Sequence, residues 1–246
     1  MSINNINLEY HRIDNGSISI VFLNGFRMPF KSWDKVYPEL ALENSVFLFN
    51  RRGVGRSKKA TESQDGNTIL SEMRSLFYNL RLRPPYILVA HSFGGLLANL
   101  YSRVYPDEVS GIVFVDSPYP SEVIEQKKNI PPFVVNAFNE GLKSMEKLFD
   151  KYKYSEDEQV EETIAQISAA GHFPNIPIAV VSGTKKMPFV PEEAFQVHKE
   201  FQAKLMDLSS HSIQYICHES GHFPQITEPD KVIMAIRNIV NEIKIS

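Results

Sequence analysis

Tyr86-Ile87-Leu88-Val89-Ala90-His91-Ser92-Phe93-Gly94-Gly95-Leu96 is the stretch on which the chain is organised. The first four residues are apolar and β-favouring, and a helical pattern runs from Leu96 to Tyr105. Between them stands a serine with a small residue two positions away on either side, Ala90 and Gly94. This is the layout of a nucleophile elbow. There a strained strand-to-helix turn lifts the serine oxygen clear of a sheet and sets the next N–H at a helix start. Small neighbours are needed because the two backbones pass close to each other. An ordinary glycine-bearing turn is the competing reading, so the weight falls on what the rest of the chain supplies.

Outward from this stretch, strand-like and helix-like runs alternate. Upstream, Asn7–Ile13 and Ile18–Leu23 flank Asp14-Asn15-Gly16, a strong signal for a hairpin. A short helix around 33–42 precedes a strand at Val46–Phe49. Ile69, Met73, Leu76 and Leu80 recur at helical spacing within 65–83, and Pro84-Pro85 ends that helix. Downstream come strands at Gly111–Val115, Ile178–Val181 and Ile213–Cys217, with helices over about 191–208 and 230–243. Such alternation predicts an α/β fold: a mostly parallel central sheet with helices on both faces. Residues 119–172 lack a long β-type run and read as a helical lid or cap inserted between core segments 1–118 and 173–246. On a parallel sheet, ligands bind beyond the C-terminal strand ends. Those ends carry Asn24-Gly25, Asn50, Ser92, Asp116, Gly183 and the segment with His222.

A serine hydroxyl needs a base. Of seven histidines, His222 in Ser220-Gly221-His222-Phe223 is the best placed, because it follows the last strand in a loop free to fold over the elbow. His172 precedes a strand, and His91 is expected to pack beneath the turn. The base needs a carboxylate. Asp116 ends the strand after the elbow helix, whereas the strand ending at Gly183 is followed by Thr184-Lys185-Lys186. Asp116 is therefore favoured, with Glu192 and Glu193 as the alternatives. The backbone N–H groups of Phe26 and Phe93 are candidates for holding an oxyanion. Asn24, Phe133, Phe138, Phe149 and Phe173 are candidate pocket residues.

The set Asn24-Gly25-Phe26, Asn50–Ser57, Ala90–Gly95, Val115–Pro118 and Gly221-His222 resembles the α/β-hydrolase fold superfamily, in its lid-bearing branch. The order serine, acid, histidine is met by Ser92, Asp116 and His222. The chain departs from the family's usual residues at Asn24, Asn50 and Ala90. The acid, too, is commonly taken from the strand that here ends near Gly183. The resemblance implies a serine hydrolase, carboxylesterase-like, acting on a small-molecule acyl substrate without metal or organic cofactor. Thioesterase, amidase or peptidase chemistry shares the scaffold. A slow or non-catalytic ligand-binding signalling protein is the alternative from another class.

Composition bounds the remaining possibilities. The 246 residues carry a net charge of −3, and the one basic run, within Arg51–Lys59, is short. That argues against electrostatic binding of nucleic acid. Neither nucleotide-loop spacing is met by the glycines at 53 and 55. The single cysteine, Cys217, permits no internal disulfide and fits a reducing, cytoplasmic setting. The polar first residues do not read as a signal peptide, and no apolar stretch reaches the ~18 residues of a membrane span. No feature of the sequence sets an oligomeric state.

Overall fold

The computed structural model describes residues 7–129, 146–188 and 190–245. Seven strands form one sheet in the order β1-β3-β2-β4-β5-β6-β7. They are β1 (Tyr10–Ile13), β2 (Ser19–Leu23), β3 (Ser45–Phe49), β4 (Tyr86–His91), β5 (Val109–Val115), β6 (Ile178–Gly183) and β7 (Ser212–Cys217). Only β1 runs antiparallel to its neighbour; every other pairing is parallel.

The inner strands are buried on both faces, and their alternation assigns each residue to one of two cores. Val21, Leu23, Phe47, Phe49, Leu88, Ala90, Ile112, Phe114, Ile178 and Val180 enter the first core. Ile20, Phe22, Val46, Leu48, Ile87, Val89, Val113, Val115, Ala179 and Val181 enter the second. This is why these strands read as continuous apolar runs.

Helices α1 (Tyr37–Leu40), α2 (Gly66–Asn79), α3 (Phe93–Val104), α4 (Pro120–Asn129), α5 (Ser155–Glu158), α6 (Val160–Ala169), α7 (Glu192–Lys204), α8 (Pro224–Thr227) and α9 (Pro229–Ile245) follow in chain order. On the first face, α2 and α6 pack on α3, which is buried from Phe93 to Ser102. On the second face α9 buries Val232, Ile236 and Ile239 against the sheet. Helix α2 begins where Asp65 accepts the Thr68 N–H at 3.2 Å, a side-chain N-cap. Within the segment read as a lid, α4 packs on α7. Helix α6 instead contributes Val160, Ile164 and Ile167 to the first core.

The hairpin expected at Asp14-Asn15-Gly16 does not form: β1 pairs with β3, which lies between β1 and β2. The turn is present, with Gly16 at φ +77°, but it is tied to the start of β3. Asn15 N–H donates to Ser45 Oγ, and its side-chain amide donates to the carbonyls of Ala41 and Leu42. Burial explains the order. β3 is apolar on both faces and needs a neighbour on each side, whereas Tyr10-His11-Arg12-Ile13 is partly exposed and suits an edge.

Candidate active site

Ser92 sits at the turn between β4 and α3 with φ +52° and ψ −125°, a conformation that an L-residue adopts only under constraint from its surroundings. The constraint is visible. Ser92 N–H donates to Val115 O at 3.2 Å, and the Ser92 carbonyl accepts Gly95 N–H at 2.8 Å. A Cβ on Gly94 would lie 2.4 Å from the Leu23 carbonyl oxygen, so only glycine lets α3 rest on the end of β2. Gly25 is less tightly constrained: its Cβ would stand 3.2 Å from Ser92 Cβ and 3.0 Å from His91 Nδ1, tight contacts with side chains.

The loop after β7 brings His222 over the elbow. His222 Nε2 lies 3.0 Å from Ser92 Oγ, and its Nδ1 lies 2.7 Å from Asp116 Oδ2. Asp116, at the end of β5, is 3% exposed and takes φ +45°. Its Oδ1 accepts Gly183 N–H at 2.9 Å. Burial pushes the Asp116 carboxyl up, but hydrogen bonds from His198 and His222 outweigh it and hold the group well below the usual carboxylate range. Glu192 and Glu193 lie exposed in the first turn of α7, and His172 is also exposed.

His91 packs beneath the turn, fully buried, with its Nε2 2.7 Å from the His222 carbonyl oxygen. That contact makes Nε2 the protonated nitrogen. Burial first, then the neighbouring His222, lowers its pKa to about 3. His91 is thus a neutral strut under the loop that carries His222.

The Phe93 N–H opens α3, where the first N–H groups have no acceptor within the helix. Phe26 N–H belongs to the peptide whose carbonyl is Gly25 O. That carbonyl accepts from Arg51 Nη2 at 2.8 Å and Met28 N at 3.3 Å. In a trans peptide the N–H points opposite the carbonyl, so these bonds set the direction of the Phe26 N–H. Arg51 also donates to Asn24 O at 2.8 Å and forms a buried ion pair with Glu156 of α5. The rings of Phe26 and Phe93 stack with centroids 4.1 Å apart.

Ser92, Asp116, His222 and Phe26 border a cavity of about 330 Å3. Its apolar wall is Pro118, Val123, Met187, Val190, Ala194 and Phe195, from the turn after β5, α4, the segment before α7 and α7 itself. Of the pocket residues expected from sequence, Asn24 is elsewhere. It is 1% exposed, and its amide bonds Phe49 O and accepts from Trp33 Nε1. Phe149 is 82% exposed, and Phe173 packs against the first core beneath the Arg103 guanidinium. Phe133 and Phe138 lie outside the described residues. A larger depression, about 620 Å3, lies at the opposite end of the strands around Asp14–Ser19 and Arg81–Arg83, away from Ser92.

Polar residues of the cavity that were not singled out in the sequence include His198 of α7 and Glu122 of α4. His198 Nδ1 lies 2.6 Å from Glu122 Oε1, and its Nε2 lies 3.3 Å from Asp116 Oδ1. The one available signal was a histidine in the buried stripe of α7, four residues after Ala194 and four before Gln202.

Residues 18–177 match the family model described as alpha/beta hydrolase fold. The chain belongs to the α/β-hydrolase-fold family. YqjL, an uncharacterized protein of Bacillus subtilis, is 22% identical over 230 residues, covering 93% of this chain and 86% of the relative. Among solved structures, Est816, described as an N-acyl homoserine lactone degrading enzyme, superposes with a TM-score of 0.66 at 19% identity. It covers 94% of this chain and 96% of its own. A bromoperoxidase from Bacillus anthracis superposes with a TM-score of 0.67 at 20% identity, covering 97% of this chain and 98% of its own. These likenesses concern the fold. No helix among the described residues is long and apolar enough to cross a membrane.

Proposed function

We propose that the protein is a serine hydrolase that cleaves a carboxylic ester, or a related acyl bond, of a small and partly apolar substrate through an acyl-enzyme. The observation that carries this reading is the unbroken chain Ser92 Oγ–His222 Nε2 at 3.0 Å and His222 Nδ1–Asp116 Oδ2 at 2.7 Å. In the first half-reaction His222 Nε2 takes the Ser92 proton as Oγ bonds to the carbonyl carbon. The carbonyl electron pair moves onto oxygen, which the N–H groups of Phe26 and Phe93 receive. The pair returns, the bond to the leaving group breaks, and His222 Nε2–H gives its proton to that group. In the second half water repeats the sequence in place of serine, freeing the acid and Ser92. Asp116 accepts from His222 Nδ1–H throughout and stabilises the imidazolium.

The cavity's apolar wall suits a small acyl or alcohol group, and α4, within the segment expected to be a lid, lends Val123 to that wall. A lactone is an ester whose leaving group stays attached, so the same steps open it; the likeness to Est816 supports including lactones in the substrate screen. The test is labelling with a fluorophosphonate probe alongside hydrolysis of a p-nitrophenyl ester panel. Wild-type protein is expected to label stoichiometrically and turn over short-chain esters, and Ser92→Ala to do neither. Absence of labelling and turnover in the wild type overturns the reading in favour of a binding protein.

A further inference from the structure

We infer that His198 is a positioning residue of this site: held as an imidazolium between Asp116 and Glu122, it fixes the carboxylate that serves His222 and offsets part of its charge. This rests on the hydrolase reading above and extends it to a residue outside the serine, histidine and aspartate set.

The protonation state follows from geometry. A neutral imidazole has one donor and one acceptor nitrogen, whereas both nitrogens of His198 face carboxylate oxygens. Glu122 also accepts from Tyr119 N–H at 3.2 Å and Gln126 Nε2 at 2.8 Å, and such donors favour its ionised form, with the shared proton on His198. Glu122 is 2% exposed; burial pushes its carboxyl above the usual range, and the contact with His198 opposes that shift, so the two groups hold each other ionised. Burial opposes the charge on His198, yet bonds to Asp116 and Glu122 prevail and raise its pKa to about 10.

Among the described residues the charged groups around the ring are few, with the half-buried Glu125 also on α4. Asp116 and Glu122 face His198 directly, and His222 stands across Asp116. Lys185 lines the same cavity with its ammonium bound to Glu219 at 2.5 Å. β6 carries no ionisable side chain, and Lys199, Glu200, Lys204 and Asp207 are exposed. With Gly183 N–H and His198 both on Oδ1, Asp116 is left with Oδ2 toward His222. The same ring ties α4 to α7, the two helices that wall the cavity.

The test uses charge to separate this role from packing. Asp116, Glu122 and His198 together carry one negative charge. His198→Gln makes it two, so the acidic limb of the kcat/KM–pH profile moves to higher pH by roughly half a unit to one unit, with kcat down about tenfold. Glu122→Gln removes a negative charge, so its limb moves to lower pH or stays in place. The double variant restores the original charge, and its limb returns toward wild type although the imidazole is gone. A limb in His198→Gln that coincides with wild type or moves to lower pH overturns the inference. So does a double variant that behaves like His198→Gln. Should His198→Gln fail to fold, imidazole 15N shifts of the wild-type protein at pH 7.5 decide the matter. Both His198 nitrogens protonated supports the assignment, and a neutral tautomer refutes it. Loss of labelling in Ser92→Ala reports on the hydrolase reading separately, so failure of one does not mimic failure of the other.

Discussion

At the scale of single residues, Asp116 is the position on which the site turns. It receives three hydrogen bonds, from His222, His198 and the Gly183 N–H, and each acts on a different property. In the proposed mechanism His222 needs its charge, in the inference above His198 tempers that charge, and Gly183 N–H holds Oδ1. Asp116→Asn keeps the shape but presents an amide that can donate to Nδ1 and select the wrong tautomer. Its expected effect is a fall in kcat of roughly 10³- to 10⁴-fold. Steady-state kinetics with an activated ester checks this, and near-wild-type turnover would remove Asp116 from the role. Ser92 and Asp116 share positive φ, and both are braced by bonds to neighbouring strand carbonyls, Val115 O for Ser92 and Val181 O for Asp116. The sheet itself therefore supports the two strained residues.

At the scale of elements, the loop after β3 and helix α5 act together on the loop after β2. Arg51 is 3% exposed; it holds the carbonyls of Asn24 and Gly25 and is neutralised by Glu156 of α5. Removing one member of such a pair leaves a buried charge without a partner. Glu156→Ala is expected to lower stability by about 3–5 kcal/mol, whereas Arg51→Met with Glu156→Leu costs distinctly less. Urea unfolding of the two singles and the double measures the coupling. Arg51→Met also releases the Gly25 carbonyl, so its kcat is expected to fall about 10- to 100-fold with KM changed less, because an oxyanion contact is made in the transition state. Equal losses in both parameters would place Arg51 outside that function.

At the scale of the molecule, two histidines, His91 buried and His198 half-buried, shape the response to pH in opposite directions. His91, with a folded pKa of about 3, binds fewer protons than in the unfolded chain between pH 3 and about 6.5. Stability is therefore lost as pH falls through that window. His198, with a folded pKa of about 10, binds more protons than the unfolded chain above about 6.5, so its contribution is full below that pH and lost as pH rises toward 10. Melting temperature is expected to peak near neutrality. His91→Gln should flatten the acid side, and His198→Gln the side between pH 7 and 9. Melting curves at pH 4.5, 7 and 9 check both signs; a variant that keeps the wild-type slope on its own side would contradict the assignment.

What the sequence determined by itself is what short-range chemistry encodes. The apolar runs of β2–β6 name the strands, and the small residues around Ser92 mark the close crossing of strand and helix. The placing of Asp116 and His222 just beyond strand ends puts them on the rim where Ser92 stands. Pairing was a different matter, because Asn15-Gly16 specifies a turn but not which strand lies beside it. Only burial of both faces of β3 put that strand between β1 and β2. Aromatic residues by themselves do not name a cavity wall, since an aromatic side chain buries equally well in a core, as Phe173 does. His198 and Glu122, 76 residues apart, carry no local pattern that joins them. Their meeting beside Asp116 depends on how α4 and α7 pack, and that packing is decided by the tertiary structure alone.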